Sequence, residues 1–153
     1  MRAVIQRVRH ARVDVGDRVV GQIGPGLLAL VGVERGDSDA DAARLAARLR
    51  ELRIFDDEGG ADGRARMNKS VVDVGGSVLV VSQFTLAADL RRGRRPSFDN
   101  AAPPEEARRL YEAVVADLRA AGVPVATGEF QAAMRVSLEN DGPVTFVVES
   151  RTP

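Results

Sequence analysis

The sequence predicts an α+β fold: a mainly antiparallel β-sheet or barrel-like core with two main helices. Three observations lead to this prediction. Apolar and polar residues alternate near the N-terminus, as in half-buried strands. Two segments carry apolar residues at helical spacing, and several short runs are continuously apolar. At 153 residues the chain fits one domain, which we expect to span 1–153.

The N-terminal part predicts three strands in succession. The segment "AVIQRVRHARVDV" (3–15) alternates apolar and polar residues over much of its length. Gly16 and Asp17 predict a tight turn into a return strand that ends at Ile23. After a Gly-Pro-Gly stop, the apolar run "LLALVGV" (27–33) predicts a strand covered on both faces.

Two segments predict helices. Ser38 and Asp41 have the spacing of a capping box, with Asp in place of the preferred Glu. The run "PPEE" (103–106) suits the first turn of a second helix, for which Gly122 is the expected C-cap. The two apolar stripes are Ala42, Leu45, Ala46, Leu49 and Leu52, and Leu110, Tyr111, Val114, Val115 and Leu118.

The remaining segments predict short strands and one long loop. "RIF" (53–55) reads as a short strand, and residues 56–66 form a polar, Gly-rich loop that we expect to be mobile. "SVLVVSQF" (77–84) predicts another buried strand. Near the C-terminus, "VPVATG", "MRVSL" and "PVTFVVE" predict three separate strands.

Composition narrows the classes of function. The formal net charge is zero, so any RNA partner must be met by a local patch rather than by the field of the whole molecule. The chain has no cysteine, which removes disulfides, thiolate nucleophiles and Cys-ligated metals. We find neither a signal peptide nor a run of about 18 apolar residues, so a cytoplasmic protein without membrane contact is the expectation.

Few residues offer acid–base or metal chemistry. His10 is the only histidine, and a place on a strand surface is favoured over a Ser-His-Asp arrangement. Asp56, Asp57, Glu58 and Asp62 could hold a divalent cation, but their spacing misses the EF-hand loop and favours solvated charge. We therefore expect neither a metal nor a cofactor.

Two polar segments lie at and after the end of the apolar run "SVLVVSQF" (77–84). In "SQFTLAAD" (82–89), Ser82, Gln83 and Thr85 stand where the apolar run stops, either as functional groups or as a strand terminator bonded to local backbone. Next comes "LRRGRRPSF" (90–98), whose four arginines could bind phosphates or form only a solvated loop.

The segment "NDGPVTF" (140–146) places Gly142 and Pro143 directly ahead of β-branched and aromatic residues. One interpretation is an ordinary entry proline at a strand edge. The other is a cis Gly-Pro bond, which occurs at only about 5–6% of X-Pro bonds and usually serves a tight turn. Such a link would hold neighbouring carbonyls as a rigid pair of acceptors that could bind an ammonium group.

Together these motifs resemble the D-aminoacyl-tRNA deacylase family, and the resemblance extends through nearly the whole chain. The segments that carry it are "IQRV", "GLLALVGVE", "RIFDDE", "GGSVLVVSQFTLAAD", "RPSF", "TGEFQAAM" and "NDGPVTF". The resemblance implies a homodimer that hydrolyses the ester of D-aminoacyl-tRNA, and of mischarged glycyl-tRNA, at the 3′ end. It also implies that the Gly-cis-Pro motif of one subunit enters the pocket of the other.

The resemblance also implies roles for individual residues. Gly142 and Pro143 would form the chiral filter, and Arg7 would hold that loop through hydrogen bonds. The segment Ser82, Gln83, Phe84 and Thr85 would line the pocket and meet the terminal adenosine and the scissile ester. Met134 would lie beside the same pocket.

Two mechanisms and two other functions stay open from the sequence. In the mechanism we favour, the Phe84 N–H or a neighbour stabilises an oxyanion while the substrate 2′-hydroxyl helps to activate water. In the rival mechanism Thr85 is a covalent nucleophile, although no base is visible beside it. The other functions are a non-catalytic RNA-binding module that uses residues 91–95 and a small-molecule hydrolase.

Overall fold

A computed structural model describes residues 1–151, in which a six-stranded mixed sheet packs against two helices. The strands are β1 (Arg2–Val15), β2 (Arg18–Ile23), β3 (Gly26–Gly32), β4 (Phe55–Asp56), β5 (Met67–Lys69), β6 (Ser77–Ser82), β7 (Val125–Thr127) and β8 (Arg135–Glu149). The helices are α1 (Asp39–Glu51) and α2 (Pro104–Ala120), and a 3₁₀ turn spans Phe84–Ala87. Neither helix is long and apolar enough to cross a membrane.

The main sheet has the order β2-β1-β3-β6-β7, and β8 pairs with β1. The pairs of β1 with β2, β3 and β8 are antiparallel, whereas β6 runs parallel to both β3 and β7. Three of the five pairings are antiparallel, so the sheet predicted as mainly antiparallel is mixed, and its parallel pairings are those of β6. The connection from β3 to β6 contains α1, and the connection from β6 to β7 contains α2. A helical crossover of this kind allows the second strand to run parallel to the first.

The sheet curves into a nearly closed barrel, which agrees with the predicted barrel-like core. The strands β2 and β7 meet where Gly21 lies so close to the carbonyl of Thr127 that a side chain at Gly21 would collide with it. Glycine is required there because two backbones approach each other without a ladder between them.

Two apolar clusters lie on opposite faces of the sheet. Along β3, Leu27, Ala29 and Val31 face the helices, whereas Leu28 and Leu30 face the interior of the barrel. The strand β6 alternates in the same way. This double coverage explains why both strands are continuously apolar, and it confirms the predicted coverage of both faces.

Both predicted helices form. In α1, the Asp41 Oδ2 atom accepts hydrogen bonds from the Ser38 N–H (2.9 Å) and the Ser38 hydroxyl (3.0 Å), as the capping spacing predicts. The helix α2 begins at Pro104. Its C-cap is Ala121 rather than the predicted Gly122, which comes one residue later with a φ of +84°, the left-handed conformation common just past a helix end.

Several element boundaries differ from the prediction, and the short strand β5 (Met67–Lys69) was not predicted. The short strand β4 starts at Phe55 rather than at Arg53. The strand β6 ends at Ser82 instead of Phe84, because the chain turns into the 3₁₀ turn. The segments "MRVSL" and "PVTFVVE" are one strand, β8, since both pair with the single long strand β1. The predicted strand in "VPVATG" is confined to Val125–Thr127.

A buried polar cluster ties α1 to both ends of the described chain. The Met1 ammonium forms an ion pair with Asp37 (2.8 Å) and donates a hydrogen bond to the Ser150 hydroxyl (2.7 Å). The Ser150 hydroxyl donates in turn to Asp41 Oδ1 (2.9 Å), which also accepts from Arg44 (3.0 Å). Burial raises the pKa of Asp41, but the hydrogen bonds from Ser38, Ser150 and Arg44 outweigh it and hold that pKa well below its usual range.

We predict that Asp41→Asn lowers the free energy of unfolding at pH 7 by about 2 kcal/mol, because an amide cannot accept every one of these bonds. A carboxylate with a lowered folded-state pKa stabilises the fold above its unfolded pKa of about 4 and ceases to do so as pH falls. The difference between wild type and variant should therefore shrink from pH 4 towards pH 2 in urea titrations. The exposed loop carboxylate Glu58 provides the control, since Glu58→Gln should change neither quantity.

Candidate functional site

A cavity of about 540 Å³ opens where β6 ends. One wall comes from β6 and the residues after it, Ser82, Gln83 and Phe84. A second wall comes from the segment before β8, including Phe130 and Met134, and a third from the start of α2. Among the described residues that line the cavity, none is ionisable; its polar side chains belong to Ser82, Gln83 and Gln131. The cavity can therefore position a substrate but supplies no acid–base side chain from its walls.

The 3₁₀ turn gives Ser82, Gln83, Phe84 and Thr85 different surroundings. The Gln83 N–H donates to the Val31 carbonyl (2.7 Å), which extends the β3–β6 pairing by one residue. The first hydrogen bond of the turn runs from the Leu86 N–H to the Gln83 carbonyl (3.2 Å). The Phe84 N–H lies ahead of that bond, and no main-chain carbonyl of residues 1–151 accepts from it.

Thr85 lies outside the walls of the cavity. Its side chain is exposed, and its hydroxyl accepts a hydrogen bond from the Gln83 side-chain amide (2.5 Å). Within residues 1–151 no histidine or carboxylate makes a hydrogen bond with this hydroxyl, so the described contacts provide no base to activate it.

Two glycines outside the predicted site motifs allow the walls of the cavity to pack closely. A Cβ atom at Gly32 would lie 2.8 Å from the Leu86 Cβ and 3.0 Å from the Gln83 carbonyl oxygen, so the 3₁₀ turn rests directly on β3. A Cβ atom at Gly128 would lie 2.7 Å from the sulfur of Met134, which lines the cavity. Sequence reasoning missed Gly32, because only a long-range contact distinguishes it from other strand glycines.

Aromatic rings flank the cavity on two sides. Phe84 is 58% exposed, and its ring centroid lies 5.2 Å from that of Phe98. Phe130 packs 6.1 Å from the ring of Tyr111, with the Arg108 guanidinium 5.4 Å from the Phe130 centroid. Phe130 was not identified from the sequence as a wall residue, although it belongs to the "TGEFQAAM" segment. An aromatic side chain in a short loop between two strands was the feature that could have indicated it.

Tyr111 supports this wall as a neutral group. Its hydroxyl donates to the Val80 carbonyl (2.8 Å), and burial raises the pKa of the phenol to about 12. The residue therefore stays protonated at physiological pH and ties α2 to β6 beneath the cavity.

Gly142 and Pro143 lie in a bulge of β8. The pairing with β1 jumps from Val8–Asn140 to Gln6–Thr145, so residues 141–144 face Arg7 alone. The Gly142–Pro143 peptide bond is cis, in agreement with the second interpretation of this segment. Both residues are exposed, and neither lines the cavity of its own chain in the part of the molecule that the structure describes.

The buried guanidinium of Arg7 holds this bulge. Its Nε donates to the Asp141 carbonyl (3.0 Å) and its Nη1 donates to the Ile54 carbonyl (2.9 Å). The carboxylates of Asp56 and Asp141 lie 3.4 Å and 3.9 Å from it and balance its charge. One buried side chain thus connects β1, the start of β4 and the bulge.

Asn140 closes the base of the same bulge. Its side-chain amide donates to the carbonyls of Arg7 and Val144, each at 3.0 Å. Gly142 has a φ of +137°, and a Cβ atom there would lie 2.6 Å from a methyl carbon of Val144 and 3.3 Å from Arg7 Nη2. The exposed dipeptide therefore projects from a buried, hydrogen-bonded base that leaves no space for a side chain at Gly142.

The other sequence-predicted candidates lie away from these features. His10 is 61% exposed and faces Glu139 across the β1–β8 pair at 3.3 Å, which agrees with the strand-surface interpretation. The carboxylate of Asp57 accepts from the N–H groups of Gly59 and Arg66, and that of Asp62 accepts from Arg64 and Arg66. These carboxylates thus shape the 56–66 loop, and among residues 1–151 no group of His, Asp or Glu side chains has metal-binding geometry.

Comparisons with known proteins give one consistent result. Residues 4–149 match the family described as D-Tyr-tRNA(Tyr) deacylase. A D-aminoacyl-tRNA deacylase of Heliobacterium modesticaldum is 62% identical over 151 residues, which cover 99% of this chain and 97% of the relative. The D-aminoacyl-tRNA deacylase of Geobacter sulfurreducens is 55% identical over 152 residues, with the same coverage.

Two solved structures have the same fold. A c-Myc DNA Unwinding Element Binding Protein superimposes with a TM-score of 0.90 at 36% identity, over 99% of this chain and all of that one. A probable eukaryotic D-amino acid tRNA deacylase superimposes with a TM-score of 0.82 at 18% identity, over 97% and 98% of the two chains. The second likeness concerns the fold alone.

We predict that Arg7→Gln loosens the 141–144 bulge, because two carbonyl groups lose a charged donor inside the fold. Hydrogen bonds to charged groups contribute about 1.5–3 kcal/mol, so the free energy of unfolding should fall by about that amount. Amide hydrogen exchange should accelerate at Asp141, Gly142 and Val144 more than in the strands β3 and β6, since Pro143 has no amide hydrogen.

The neighbouring Arg9 supplies the control, since it is 68% exposed and lies 3.6 Å from Glu139 and from Asp141. Arg9→Gln should change stability by less than about 1 kcal/mol. Equal exchange rates in the bulge of wild type and Arg7→Gln would show that Arg7 does not hold it.

Proposed function

This chain belongs to the D-Tyr-tRNA(Tyr) deacylase family, and on that premise we propose that it hydrolyses the ester of D-aminoacyl-tRNA, releasing a free amino acid and tRNA. The observation that carries the proposal is the cavity at the end of β6, which combines the Ser82–Phe84 wall with no ionisable side chain. Its volume of about 540 Å³ falls in the range of ligand pockets, roughly 300–1,000 Å³. Such a cavity suits a reaction that depends on positioning.

The chemistry of the substrate accounts for the missing acid–base residues. An aminoacyl ester is intrinsically labile, and its ribose carries a 2′-hydroxyl next to the scissile bond. In our proposal that hydroxyl helps to activate water, while the free N–H of Phe84 donates to the developing oxyanion. Removal of one oxyanion donor costs about 10²–10³ in rate in other hydrolases, so a single main-chain N–H can contribute substantially.

The proposed chiral filter requires a second copy of the chain. Gly142 and Pro143 are exposed and lie outside the cavity of their own chain, so they can act on a substrate only by entering the cavity of a partner. Within residues 1–151, β8 pairs only with β1, which leaves its other edge open, and the nearby Phe146 and Val147 are 42% and 64% exposed. An open edge with exposed apolar residues supports a homodimer formed on this side.

Selectivity would follow from steric exclusion. A substrate ammonium group that binds the carbonyls around Gly142 leaves one side of the α-carbon facing the main chain. An L side chain would collide with those fixed groups, whereas a D side chain would point outward. Glycine has no side chain to exclude, so the proposal includes glycyl-tRNA as a substrate.

The experiment that tests this function compares D-tyrosyl-tRNA with L-tyrosyl-tRNA, with release of free tyrosine as the measurement. Wild type should cleave the D ester and leave the L ester intact. The variant Gly142→Ala should lose most of this discrimination, because the added methyl group has no space against Val144 and must shift the bulge.

A glycine in open surroundings gives the matched control. Gly24 has no neighbouring atom within 4 Å of a built Cβ, and Gly24→Ala should retain the discrimination. Equal cleavage of both esters by folded wild-type protein would overturn the proposed function. Unchanged selectivity in Gly142→Ala would overturn the filter only.

Thr85→Ala separates the two mechanisms. Since Thr85 is exposed and lacks a neighbouring base, we expect the variant to keep kcat within about tenfold of wild type. Steady-state hydrolysis at saturating D-tyrosyl-tRNA measures kcat directly. A variant that folds and binds tRNA but has lost hydrolysis by the factor of about 10⁶ seen on removal of a serine nucleophile would establish Thr85 in that role.

A further inference from the structure

The segment between the 3₁₀ turn and α2 contains a closed, positively charged loop, which we call the arginine loop (90–96). Two main-chain hydrogen bonds close it at its base, from the Asp89 N–H to the Ser97 carbonyl (2.8 Å) and from the Ser97 N–H to the Asp89 carbonyl (3.0 Å). Gly93 forms the tip with a φ of +67°, a conformation that favours glycine. The loop is therefore a defined projection from the body of the protein.

The charge of the arginine loop is unevenly compensated. Arg91 forms a bidentate pair with Asp89 (2.9 and 2.8 Å), and these hydrogen bonds lower the pKa of that carboxyl to about 2. Arg92, Arg94 and Arg95 are exposed, and within residues 1–151 their side chains make no hydrogen bond or ion pair. Three free guanidinium groups thus stand within four consecutive positions.

This concentration is unusual for the chain. Most arginines are paired with carboxylates or donate to carbonyl groups, which fits a protein of zero net charge. Outside the arginine loop, only Arg48 and Arg64 among the described residues have side chains without such a partner, and they lie far apart in the sequence. The arginine loop is therefore the one place where unpaired positive charge is concentrated in the described part of the chain.

The arginine loop also stands next to the cavity. Phe98 follows its closing pair directly and packs its ring against Phe84, which lines the cavity. Ala101, three residues further on, is itself part of the cavity wall. A polymer whose end entered the cavity would pass beside this projection.

We infer that the arginine loop binds backbone phosphates of the tRNA acceptor arm adjacent to the ester in the cavity. This inference rests on the proposed function, because it assigns the loop to the nucleic-acid part of the same substrate. Guanidinium groups bind phosphate oxygens bidentately, and unpaired ones need not first break an ion pair. A chain without net charge gains its attraction for a polyanion from such a local patch.

The test compares D-tyrosyl-tRNA with D-tyrosyl-adenosine, an ester that enters the cavity but carries no phosphate. The variant Arg92→Gln/Arg94→Gln should raise KM for the tRNA roughly tenfold at 50 mM salt and leave kcat unchanged, as expected for a contact made equally in ground and transition states. The slope of log kcat/KM against log salt should become shallower by about 1.4–1.8. Hydrolysis of D-tyrosyl-adenosine should be unaffected.

The matched control is Arg48→Gln/Arg64→Gln, which removes the same charge from unpaired arginines elsewhere. It should keep the wild-type KM and salt slope for the tRNA. If both double variants behave alike, the arginine loop has no special role and the inference fails, although hydrolysis itself continues. If wild type cleaves neither ester, the proposed function fails instead, so the two failures are distinguishable.

Discussion

The guanidinium of Arg7 fixes the position of the β8 bulge, on which the arrangement of the candidate site depends. It is buried on the helix-facing side of β1, where an uncompensated charge would be costly, and it donates to two main-chain carbonyls that no strand ladder satisfies. Those carbonyls belong to the segment before β4 and to the bulge of β8. The position of Gly142 and Pro143 is therefore set from the interior of the fold, although both residues lie on its surface.

The cavity and the β8 bulge are separate features of the chain. The cavity has mainly apolar walls, with polar side chains only from Ser82, Gln83 and Gln131 among its described lining residues. The Gly142–Pro143 dipeptide of the bulge is exposed and does not line that cavity in its own chain. In the dimer that we propose, the dipeptide of one copy would enter the cavity of the other. This dimer would also cover the open edge of β8, which an isolated chain leaves exposed.

Charged side chains are also distributed unevenly over the molecule. Acidic and basic residues balance overall and are mostly paired, so the surface as a whole neither attracts nor repels nucleic acid. Among residues 1–151, arginines without a side-chain partner are concentrated in the arginine loop beside the cavity. In our proposals, neighbouring but separate segments bind the reacting end and the nucleic-acid backbone.

Local periodicity in the sequence was sufficient to identify both helices, the β1–β2 hairpin and the doubly buried strands β3 and β6, because each pattern depends on residues close in the chain. The family resemblance implied a pocket lined by residues 82–85 beside Met134; Ser82, Gln83, Phe84 and Met134 line one cavity, whereas Thr85 lies outside it. Only the tertiary structure decided the parallel pairing of β6, the 3₁₀ turn at Phe84, the continuity of β8 and the need for glycine at Gly32. These features depend on which backbones meet across long sequence separations, and a pattern read along one segment contains no information about its distant neighbour.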